Sequence, residues 1–363
     1  MRRLCHWRTP LFAMVILLLA GCSDSPSPTT DSDDDSEKPT YPVTWRFALE
    51  EIEGSVQHEY AMELKERIES ISDGNILIDI FPYGSIGTSI QLTELAREGS
   101  VHLAFASPGH LADVVPETGV FTLHFLLSDD ENVTRDILAS DRLMQAFSEP
   151  YGEQNLKLLG FVPEGWMAWT ANKPLRTPAD FEGLAIRTMT SEIAAEAFKA
   201  YGAQPAPTPF SQVYSDLQLR RIDGQTNPVF AIEEMGFYEV QNAMTFARPA
   251  QFVTSVVSNK EWFDALPDDQ KRWLKDALDE VTPLAYEVQA ELNASRLETI
   301  RQNSNIRTIE LTDGERERFR EASLPVREAY TRIAGERGEA ILEQIIEMVD
   351  EAESEAETKG QGS

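Results

Sequence analysis

The stretch TWRFALEEIEGSVQHEYAMELKERIESISDGNILIDIF, residues 44–81, contains the pattern that decides the fold. It opens with the apolar run TWRFAL (44–49) and closes with ILIDIF (76–81), and both runs have the length and composition of β-strands. Between them, apolar residues recur every three or four positions, at Tyr60, Leu64, Ile68 and Ile71. That spacing predicts a helix with one buried face, and the order of strand, helix and strand predicts an α/β fold.

The same alternation continues along most of the chain. IQLTELAREG (90–99) has the pattern of a helix that ends at Gly99, and VHLAFA (101–106) has the pattern of a third strand. Four later segments also have the composition of strands: LKLLGFV (156–162), MAWTA (167–171), LAIRT (184–188) and QFVTSVVSN (251–259).

The C-terminal third is predicted to be helical. Beyond residue 266, apolar residues mark one face of a long helix, at Leu274, Leu278, Val281, Ala285, Val288 and Leu292. Pro283 lies inside this pattern. Because proline lacks a backbone N–H and clashes with the preceding turn, we expect a kink or a break there.

The N-terminus has the features of an export signal. Three arginines precede the apolar run LFAMVILLLA (11–20), which is too short to span a bilayer permanently, and small residues precede Cys22. The pattern predicts a bacterial lipoprotein signal peptide over residues 1–21, cleaved so that Cys22 becomes the lipidated first residue. The alternative is a plain secretory signal in which the cysteine is incidental.

The ends of the mature chain are predicted to be unstructured. Residues 22–43 are acidic, rich in Ser and Pro and almost free of apolar side chains, so they cannot bury enough surface to fold. We predict a flexible acidic tether there and a disordered tail over residues 351–363.

Composition excludes several classes of protein. Cys5 and Cys22 are the only cysteines, so the mature domain can have no disulfide and no cysteine metal site. Removal of the signal leaves 29 basic against 61 acidic side chains, a net charge of −32. Such a surface repels nucleic acid and anionic lipid. We expect the acidity to form a solvated coat that keeps a halophilic protein soluble in high salt.

Motifs for catalysis are missing from the sequence. There is no G-x-S-x-G elbow, no G-x-x-x-x-G-K phosphate loop and no H-E-x-x-H zinc motif. His102 and His110 could approach one another, but the spacing suggests no third metal ligand. We therefore expect no catalytic residues, no metal and no cofactor. A secreted hydrolase that uses paired carboxylates is a remote alternative, and a purely structural envelope lipoprotein is another.

Five stretches together resemble one family of transport proteins. They are GLAIRTMT (183–190), AYGAQPAPTPFSQVYSDLQ (200–218), DGQTNP (223–228), YEV (238–240) and WFDALPDDQKRWL (262–274). Over residues 44–348 the chain resembles the DctP family, the solute-binding proteins of tripartite ATP-independent periplasmic (TRAP) transporters. The nearest likeness is to the ectoine-binding branch, and four stretches carry it: WRFALEEIEG (45–54), SPG (107–109), PEG (163–165) and IRTMT (186–190).

The resemblance implies a two-lobed periplasmic-binding-protein fold. The family fold is α/β and type II-like, with discontinuous lobes joined by crossing strands and a long C-terminal helix that spans the hinge. Lobe I would comprise residues 44–164 and about 253–292, and lobe II residues 165–252 and about 293–350. The solute would bind between the lobes, which then close over it.

The resemblance also assigns binding roles to three polar residues. Arg187 would be the carboxylate clamp, because a planar guanidinium holds a carboxylate by two parallel hydrogen bonds. Asn227, which Pro228 holds extended, would offer an amide to the solute. Glu51 would meet a positive group, whereas its neighbour Glu50 is expected to point elsewhere. The alternatives are a structural ion pair for Arg187, a turn-closing amide for Asn227 and a solvated acid for Glu51.

The aromatic walls depart from the ectoine branch. Phe252 is retained, but His110 and Ala231 replace rings. We expect His110 and Phe252 to line the site together with Phe230, and Trp166 and Trp169 either to refill the missing wall or to belong to the core. Members that bind acidic sugars or dicarboxylates commonly carry another arginine where this chain has Met167, so the solute is not expected to be strongly anionic.

These features predict an extracytoplasmic capture protein, lipid-anchored in the periplasm. We expect it to bind a small zwitterionic or amine-bearing organic solute, similar to a compatible solute, and to deliver it to TRAP permease membrane subunits. We expect a monomer that contacts the membrane only through its lipid. The alternative is a binder of a small carboxylate or sugar acid, in which Arg187 and Asn227 bind the solute and Glu51 does not.

Overall fold

The computed structural model of the chain describes residues 42–360. The predicted signal peptide (1–21), the predicted lipidation site Cys22 and the tether up to residue 41 lie outside the described residues, as do residues 361–363.

Strands and helices alternate through this part of the chain, as the pattern predicts. The strands are β1 (Val43–Ala48), β2 (Ile76–Phe81), β3 (Leu103–Ala106), β4 (Leu156–Ala171), β5 (Ala185–Thr188), β6 (Gln204–Pro207), β7 (Gly224–Pro228), β8 (Ala243–Phe246), β9 (Gln251–Asn259) and β10 (Arg307–Glu310). The α-helices are α1 (Val56–Ile71), α2 (Ser89–Arg97), α3 (Pro108–Leu111), α4 (Glu131–Leu138), α5 (Asp141–Glu153), α6 (Glu192–Ala200), α7 (Val213–Gln218), α8 (Val229–Glu234), α9 (Lys260–Ala265), α10 (Asp268–Asn303), α11 (Asp313–Ser323) and α12 (Val326–Gly360). Short 3₁₀ helices lie at Pro116–Thr122, Pro178–Phe181, Phe210–Gln212 and Phe237–Val240.

The strands form one path with two halves. Its order is β2-β1-β3-β9-β4-β7-β5-β6, with β8 paired to β4 and β10 paired to β8. In the first half, β1, β2 and β3 are parallel and β9 is antiparallel to both β3 and β4. In the second half, β5, β6 and β7 are parallel, and β4 is antiparallel to β7. The fold is therefore α/β, and β4 belongs to both halves.

Strand β4 corrects the prediction of two separate strands at 156–162 and 167–171. Its residues 156–166 pair with β9, and its residues 167–171 pair with β7. Gly165, with φ +119, lies at a shift of register between Pro163 and Trp166 in the pairing with β9, just before the residues that pair with β7. A glycine accepts this backbone conformation readily, so the strand bends from one half into the other without ending.

Helix α10 connects the cores of the two halves. Near its start, Leu274 and Val281 pack in a core cluster with Phe47 of β1, and near its end Ile300 packs in another with Met244 of β8. The helix has 36 residues and is about 54 Å long. The predicted break at its proline does not occur.

Two features of the surroundings explain why α10 continues through Pro283. Pro283 is exposed, so the carbonyl that loses its intrahelical partner can bond to water. Val281 and Ala285 on either side are buried against α1 and hold the helix in place. In α1 itself, Ile71 was predicted on the buried face but is 41% exposed, because the helix ends there.

The C-terminal helix packs differently from its predicted assignment to lobe II. Val326 and Ile345 of α12 belong to a core cluster with Phe147 and Phe161, which lie in the predicted lobe I. The lobe boundaries remain a prediction, but residues 326–349 return to the first half of the fold. Residues 351–360 continue α12 rather than forming a disordered tail.

Within residues 42–360, no helix combines the length and the apolar character that a membrane crossing requires.

We predict that Gly165→Ala destabilises the fold. A Cβ at this position would lie 2.4 Å from Nδ2 of Asn293, which donates a hydrogen bond of 2.9 Å to the Glu164 carbonyl. The positive φ alone costs about 1–3 kcal/mol for a non-glycine residue. Urea denaturation should show a loss of free energy of unfolding of at least this size.

Gly314→Ala is the matched control, because Gly314 lies in helix α11 without a positive φ, and an added methyl group would have no other atom within 4 Å. That change should be neutral or slightly stabilising. An unchanged unfolding midpoint in Gly165→Ala would contradict the proposed requirement for glycine.

Candidate functional site

A small cavity lies where both halves of the fold meet near the β4 crossing. The centre of a water molecule can move within about 40 Å³ of it. The loop after β1, helices α1, α2, α3 and α8, the ends of β5 and β7, and β9 all contribute to its wall. The lining residues are Glu50, Glu51, Gln57, Ser89, Ser107, His110, Arg187, Met189, Phe210, Asn227, Pro228, Ala231 and Phe252.

Arg187 is a buried cation without a counter-ion in the described part of the chain. It lies in β5 and is 2% exposed. Its Nε donates a hydrogen bond of 3.1 Å to the Thr208 carbonyl, and its guanidinium carbon lies 5.8 Å from the centre of the Phe210 ring. In residues 42–360, no carboxylate oxygen lies within the 4.0 Å of an ion pair with it. The alternative of a structural ion pair therefore has no partner in the described part of the chain.

Burial makes the charged form of this guanidinium less favourable. It lowers the pKa of Arg187 to about 10, because the protein interior solvates the cation less well than water does. Arg187 nevertheless stays positively charged at neutral pH, and its charge faces the cavity. A buried charge of this kind is stable only when something compensates it.

Asn227 lies on β7, the strand that pairs directly with β5 in the same half. It pairs with Ala168 across β7 and β4 and is 7% exposed. Its Nδ2 donates to Oε1 of Gln225 at 2.5 Å, and Gln225 in turn donates to the Thr170 hydroxyl at 3.1 Å. No hydrogen bond in the described residues uses Oδ1 of Asn227. One amide atom is thus held in place while the other can accept a hydrogen bond.

Three buried glutamates form a cluster on the other wall. Glu50, Glu51 and Glu164 are 6%, 7% and 0% exposed, and the first two line the cavity. Gln57 connects all three. Its Nε2 donates to Glu164 Oε1 at 3.0 Å, its backbone N–H to Glu51 Oε2 at 3.3 Å, and its Oε1 accepts from the Glu50 backbone N–H at 2.8 Å.

The position of Glu50 corrects the prediction that it points elsewhere. Side chains alternate between faces only along a strand. Strand β1 ends at Ala48, and residues 50–51 form a bend. Both neighbouring carboxyl groups can therefore lie against the same cavity.

The pKa values of the cluster are raised. Burial raises the pKa of Glu50 to about 8, the charge of Glu164 adds to this effect, and a hydrogen bond from Ser107 opposes it. Burial and the neighbouring Glu164 hold the pKa of Glu51 well above its ordinary value. Burial also raises the pKa of Glu164, although the hydrogen bond with Glu51 opposes the shift. At neutral pH the Glu50 carboxyl therefore holds a proton.

His110 and Phe252 line the cavity as well. His110 Nδ1 lies 2.8 Å from the Thr190 hydroxyl. Burial and the positive charge of Arg187 lower the pKa of His110 to about 4, so the imidazole is neutral at physiological pH. Phe210, which sequence reasoning missed, supplies a second ring to the wall.

Three predicted wall residues do not line this cavity. Trp169 is 1% exposed and packs edge-to-face against Phe181 in the core of the second half. Trp166 turns its indole N–H to Glu131 Oε1, at 3.1 Å. Phe230 is fully buried in a cluster that includes Val56. Trp169 and Phe230 therefore belong to the packed core, and Trp166 lies outside this cavity.

Gln57 and Met189 are further lining residues that sequence reasoning missed. A signal for Gln57 was present, since it lies three residues before Tyr60 and so shares the buried face of α1. Met189 directly follows β5 and had no distinguishing pattern. Within residues 42–360, no group of three or more His, Cys, Asp or Glu side chains could hold a metal ion.

Comparison with known proteins identifies the family. The family model described as "Bacterial extracellular solute-binding protein, family 7" (DctP) matches residues 47–333. The chain belongs to this family. Its members are the solute-binding proteins of TRAP transporters and work with membrane permease subunits, so the protein is a periplasmic binding protein and not an enzyme. This finding overturns the remote alternative of a secreted hydrolase.

Individual relatives support the same assignment. The ectoine-binding periplasmic protein TeaA of Halomonas elongata is 33% identical over 319 residues, which are 87% of this chain and 93% of that protein. The crystal structure of a TRAP periplasmic solute binding protein from Marinobacter aquaeolei, in an apo open state, has a TM-score of 0.81 and 57% identity over 84% of this chain and 100% of that one. The C4-dicarboxylate-binding protein DctB of Bacillus subtilis is 26% identical over 87% of this chain and 89% of its own. The two-lobed fold of these neighbours is the fold of this protein.

We predict that Glu50→Gln changes how stability depends on pH. The carboxyl has a pKa of about 8 in the folded state and an ordinary value of 4.5, so between these values the folded state keeps a proton that the unfolded state has lost. Stability from this proton is complete below about pH 4.5 and is lost as pH rises to about 8. Removing the group should raise stability relative to wild type by about 4–5 kcal/mol at pH 8.5 and by much less at pH 5.

The measurement is urea denaturation of both proteins at each pH. Glu53→Gln is the control, because Glu53 lies in the same loop and is exposed. Parallel pH profiles for wild type and Glu50→Gln would show that the Glu50 carboxyl is ionised in the folded state.

Proposed function

We propose that this cavity captures a small zwitterionic or amine-bearing organic solute for a TRAP permease. The single observation that carries the proposal is the buried Arg187 guanidinium, which faces the cavity and has no counter-ion among residues 42–360. A carboxylate of the solute would compensate this charge through two parallel hydrogen bonds. Asn227 Oδ1 lies free to accept a hydrogen bond from the same molecule.

The opposite wall favours a positive group on the solute. Glu50 and Glu51 line it, and a carboxylate there gains stability from a neighbouring cation. A solute with a carboxylate and a cationic nitrogen therefore satisfies both walls at once. The small cavity volume also favours a small molecule over an extended one.

The named relatives bear on the identity of the solute. TeaA, named for ectoine, is similar over most of this chain, and ectoine has the required combination of a carboxylate and a cationic nitrogen. Phe210 and Phe252 provide two rings that can pack on a flat cationic group. Ectoine is thus the first compound to test within the proposed class.

The second candidate is a small carboxylate or sugar acid bound through Arg187 and Asn227. The similarity to a protein named for C4-dicarboxylates favours it. Three buried glutamates argue against it, since a dicarboxylate would bring a second anion toward them. Affinities for an amino-bearing hit and its deaminated analogue separate the two candidates, because a large loss is expected only for the zwitterion.

We predict that Arg187→Ala weakens binding of the solute by two to three and a half decades, which corresponds to about 3–5 kcal/mol. The loss arises because the solute carboxylate would be buried without its partner. Arg187→Lys should bind with intermediate affinity, because an ammonium cannot form the two-point contact.

A thermal-shift screen of ectoine, amino acids, betaines, dicarboxylates and sugar acids supplies the ligand, since a compound that binds the folded state raises the melting temperature. Calorimetry then gives the affinities. Arg221→Ala is the control, because Arg221 is exposed and pairs with Asp216 on the surface. Equal affinities of Arg187→Ala and wild type would refute the role of Arg187.

We further propose that Cys22 is lipidated and that the mature protein is a monomer tethered in the periplasm. The apolar run and the small residues before Cys22 support the anchor. Radiolabelled palmitate should enter the wild-type protein and not Cys22→Ala when both are expressed in a bacterium that processes lipoproteins. Absence of label in the wild type would favour a plain secretory signal.

A further inference from the structure

The carboxyl cluster is larger than one positive group on a solute requires. Glu50 and Glu51 follow β1, whereas Glu164 comes from the crossing in β4, so three acidic groups from distant parts of the chain meet. No Lys, Arg or His nitrogen lies within 4.0 Å of these carboxylates in residues 42–360. The cluster is stable without a cation only if protons reduce its charge.

Two oxygen atoms of the cluster have no hydrogen-bond partner in the described part of the chain. They are Oε1 of Glu50 and Oε2 of Glu164, and both are buried. Glu50 lines the cavity and is 94% buried, and its Oε1 has almost no accessible surface, so a donor inside the cavity reaches this oxygen only when the carboxyl group rotates toward it. A buried polar atom in this state gains stability when a donor reaches it.

In residues 42–360, the other groups that face the cluster are hydroxyls and one further carboxylate. Ser107 from the start of α3 and Ser89 of α2 lie near Glu50 and act to lower its pKa. On the far side, the charge of Glu234 of α8 acts on Glu51, and Arg296 lies 3.9 Å from Glu234. Thr254 of β9 donates to Glu164 Oε1.

Two further ionisable side chains, Arg187 and His110, line the same cavity as the cluster. Arg187 is the permanent cation there, and His110 is neutral at physiological pH. Arg187 is not in ion-pair contact with the carboxyl groups, so its charge does not replace the protons that they hold.

We propose that the Glu50, Glu51 and Glu164 cluster exchanges a proton for an N–H cation of the solute. The inference rests on the proposed function and goes beyond it, because it specifies the kind of cation and a release of protons. On binding, the O–H bond of the Glu50 carboxylic acid breaks and its proton passes to solvent. The resulting carboxylate accepts a hydrogen bond from an N–H group of the solute.

Charge balance explains why the exchange is favourable. The solute cation replaces the positive charge of the departing proton, so the number of buried net charges does not change. A cation with N–H groups also satisfies the unpartnered oxygen of Glu50. A quaternary ammonium has no N–H group and leaves that oxygen unsatisfied, so the site should select against fully methylated zwitterions.

The test uses probes that each carry only one charge. Acetamidinium is a permanent N–H cation, tetramethylammonium is a cation without N–H groups, and formate is an anion for Arg187. Isothermal titration calorimetry of the wild-type protein in two buffers with different ionisation enthalpies gives the number of protons released. We expect about one proton per acetamidinium at pH 7 and a rise in its affinity of about tenfold per pH unit from pH 6 toward pH 8. Tetramethylammonium should bind at least tenfold more weakly.

Proton release measured in two variants tests whether the released proton comes from the cluster. Glu50→Gln should abolish the proton release on acetamidinium binding, whereas the exposed loop variant Glu53→Gln should retain the wild-type value. The wild-type measurement needs no variant, so a folding defect in Glu50→Gln leaves the proposal testable. Acetamidinium binding without proton release, or equal affinity for tetramethylammonium, would overturn the exchange.

The formate titration keeps this proposal separate from the proposed function. Formate binding that is lost in Arg187→Ala, together with no acetamidinium binding, would overturn the cation subsite and leave the carboxylate site of Arg187 intact. Acetamidinium binding with proton release, but with no formate binding, would instead overturn the role of Arg187. Binding of neither probe would overturn both proposals.

Discussion

The cavity depends on the way strand β4 crosses from one half of the fold to the other. Before the crossing, β4 pairs with β9, and beyond it Ala168 pairs with Asn227 of β7. Glu164 lies at the crossing itself and accepts hydrogen bonds from Gln57 and Thr254, which come from two other elements. One continuous strand therefore sets the separation between the amide and the acidic wall. Gly165 allows the bend, since a side chain there would collide with Asn293 of α10.

Both walls contain ionisable groups that burial makes costly. Arg187 has no carboxylate within ion-pair distance in the described residues, and Glu50 has an oxygen without a hydrogen-bond partner there. Direct pairing of the guanidinium with the acids would satisfy both, but the fold holds them on different walls of the cavity. A fold that optimised only its own stability would not keep two such groups apart. This separation is what a binding site for a molecule with two opposite charges requires.

Sequence alone anticipated the alternation of strands and helices because apolar periodicity reports which faces are buried. The resemblance pointed to Arg187 and Asn227, and the structure places both in one cavity wall. The prediction for Glu50 was wrong because side chains do not alternate between two faces in the bend after β1. The role of Trp169 was left open because only the pairing of β4 decides which face of the sheet its ring occupies. Gln57 was missed because its role depends on its hydrogen bond to Glu164, which lies 107 residues further along the chain.

Residues 208–211, beside the cavity, contact Arg187, the residue proposed to hold the solute. The Thr208 carbonyl accepts a hydrogen bond from Arg187, and the Phe210 ring lies against both the guanidinium and the Tyr83 ring, at 5.8 Å in each case. The Ser211 N–H donates to the Tyr83 hydroxyl at 3.1 Å, which joins this segment to the first half of the fold. Residues 208–211 therefore both orient the guanidinium and tie the two halves together beside it. Since the same few residues do both, a change in this segment is expected to alter the position of the charge and the contact between the halves together.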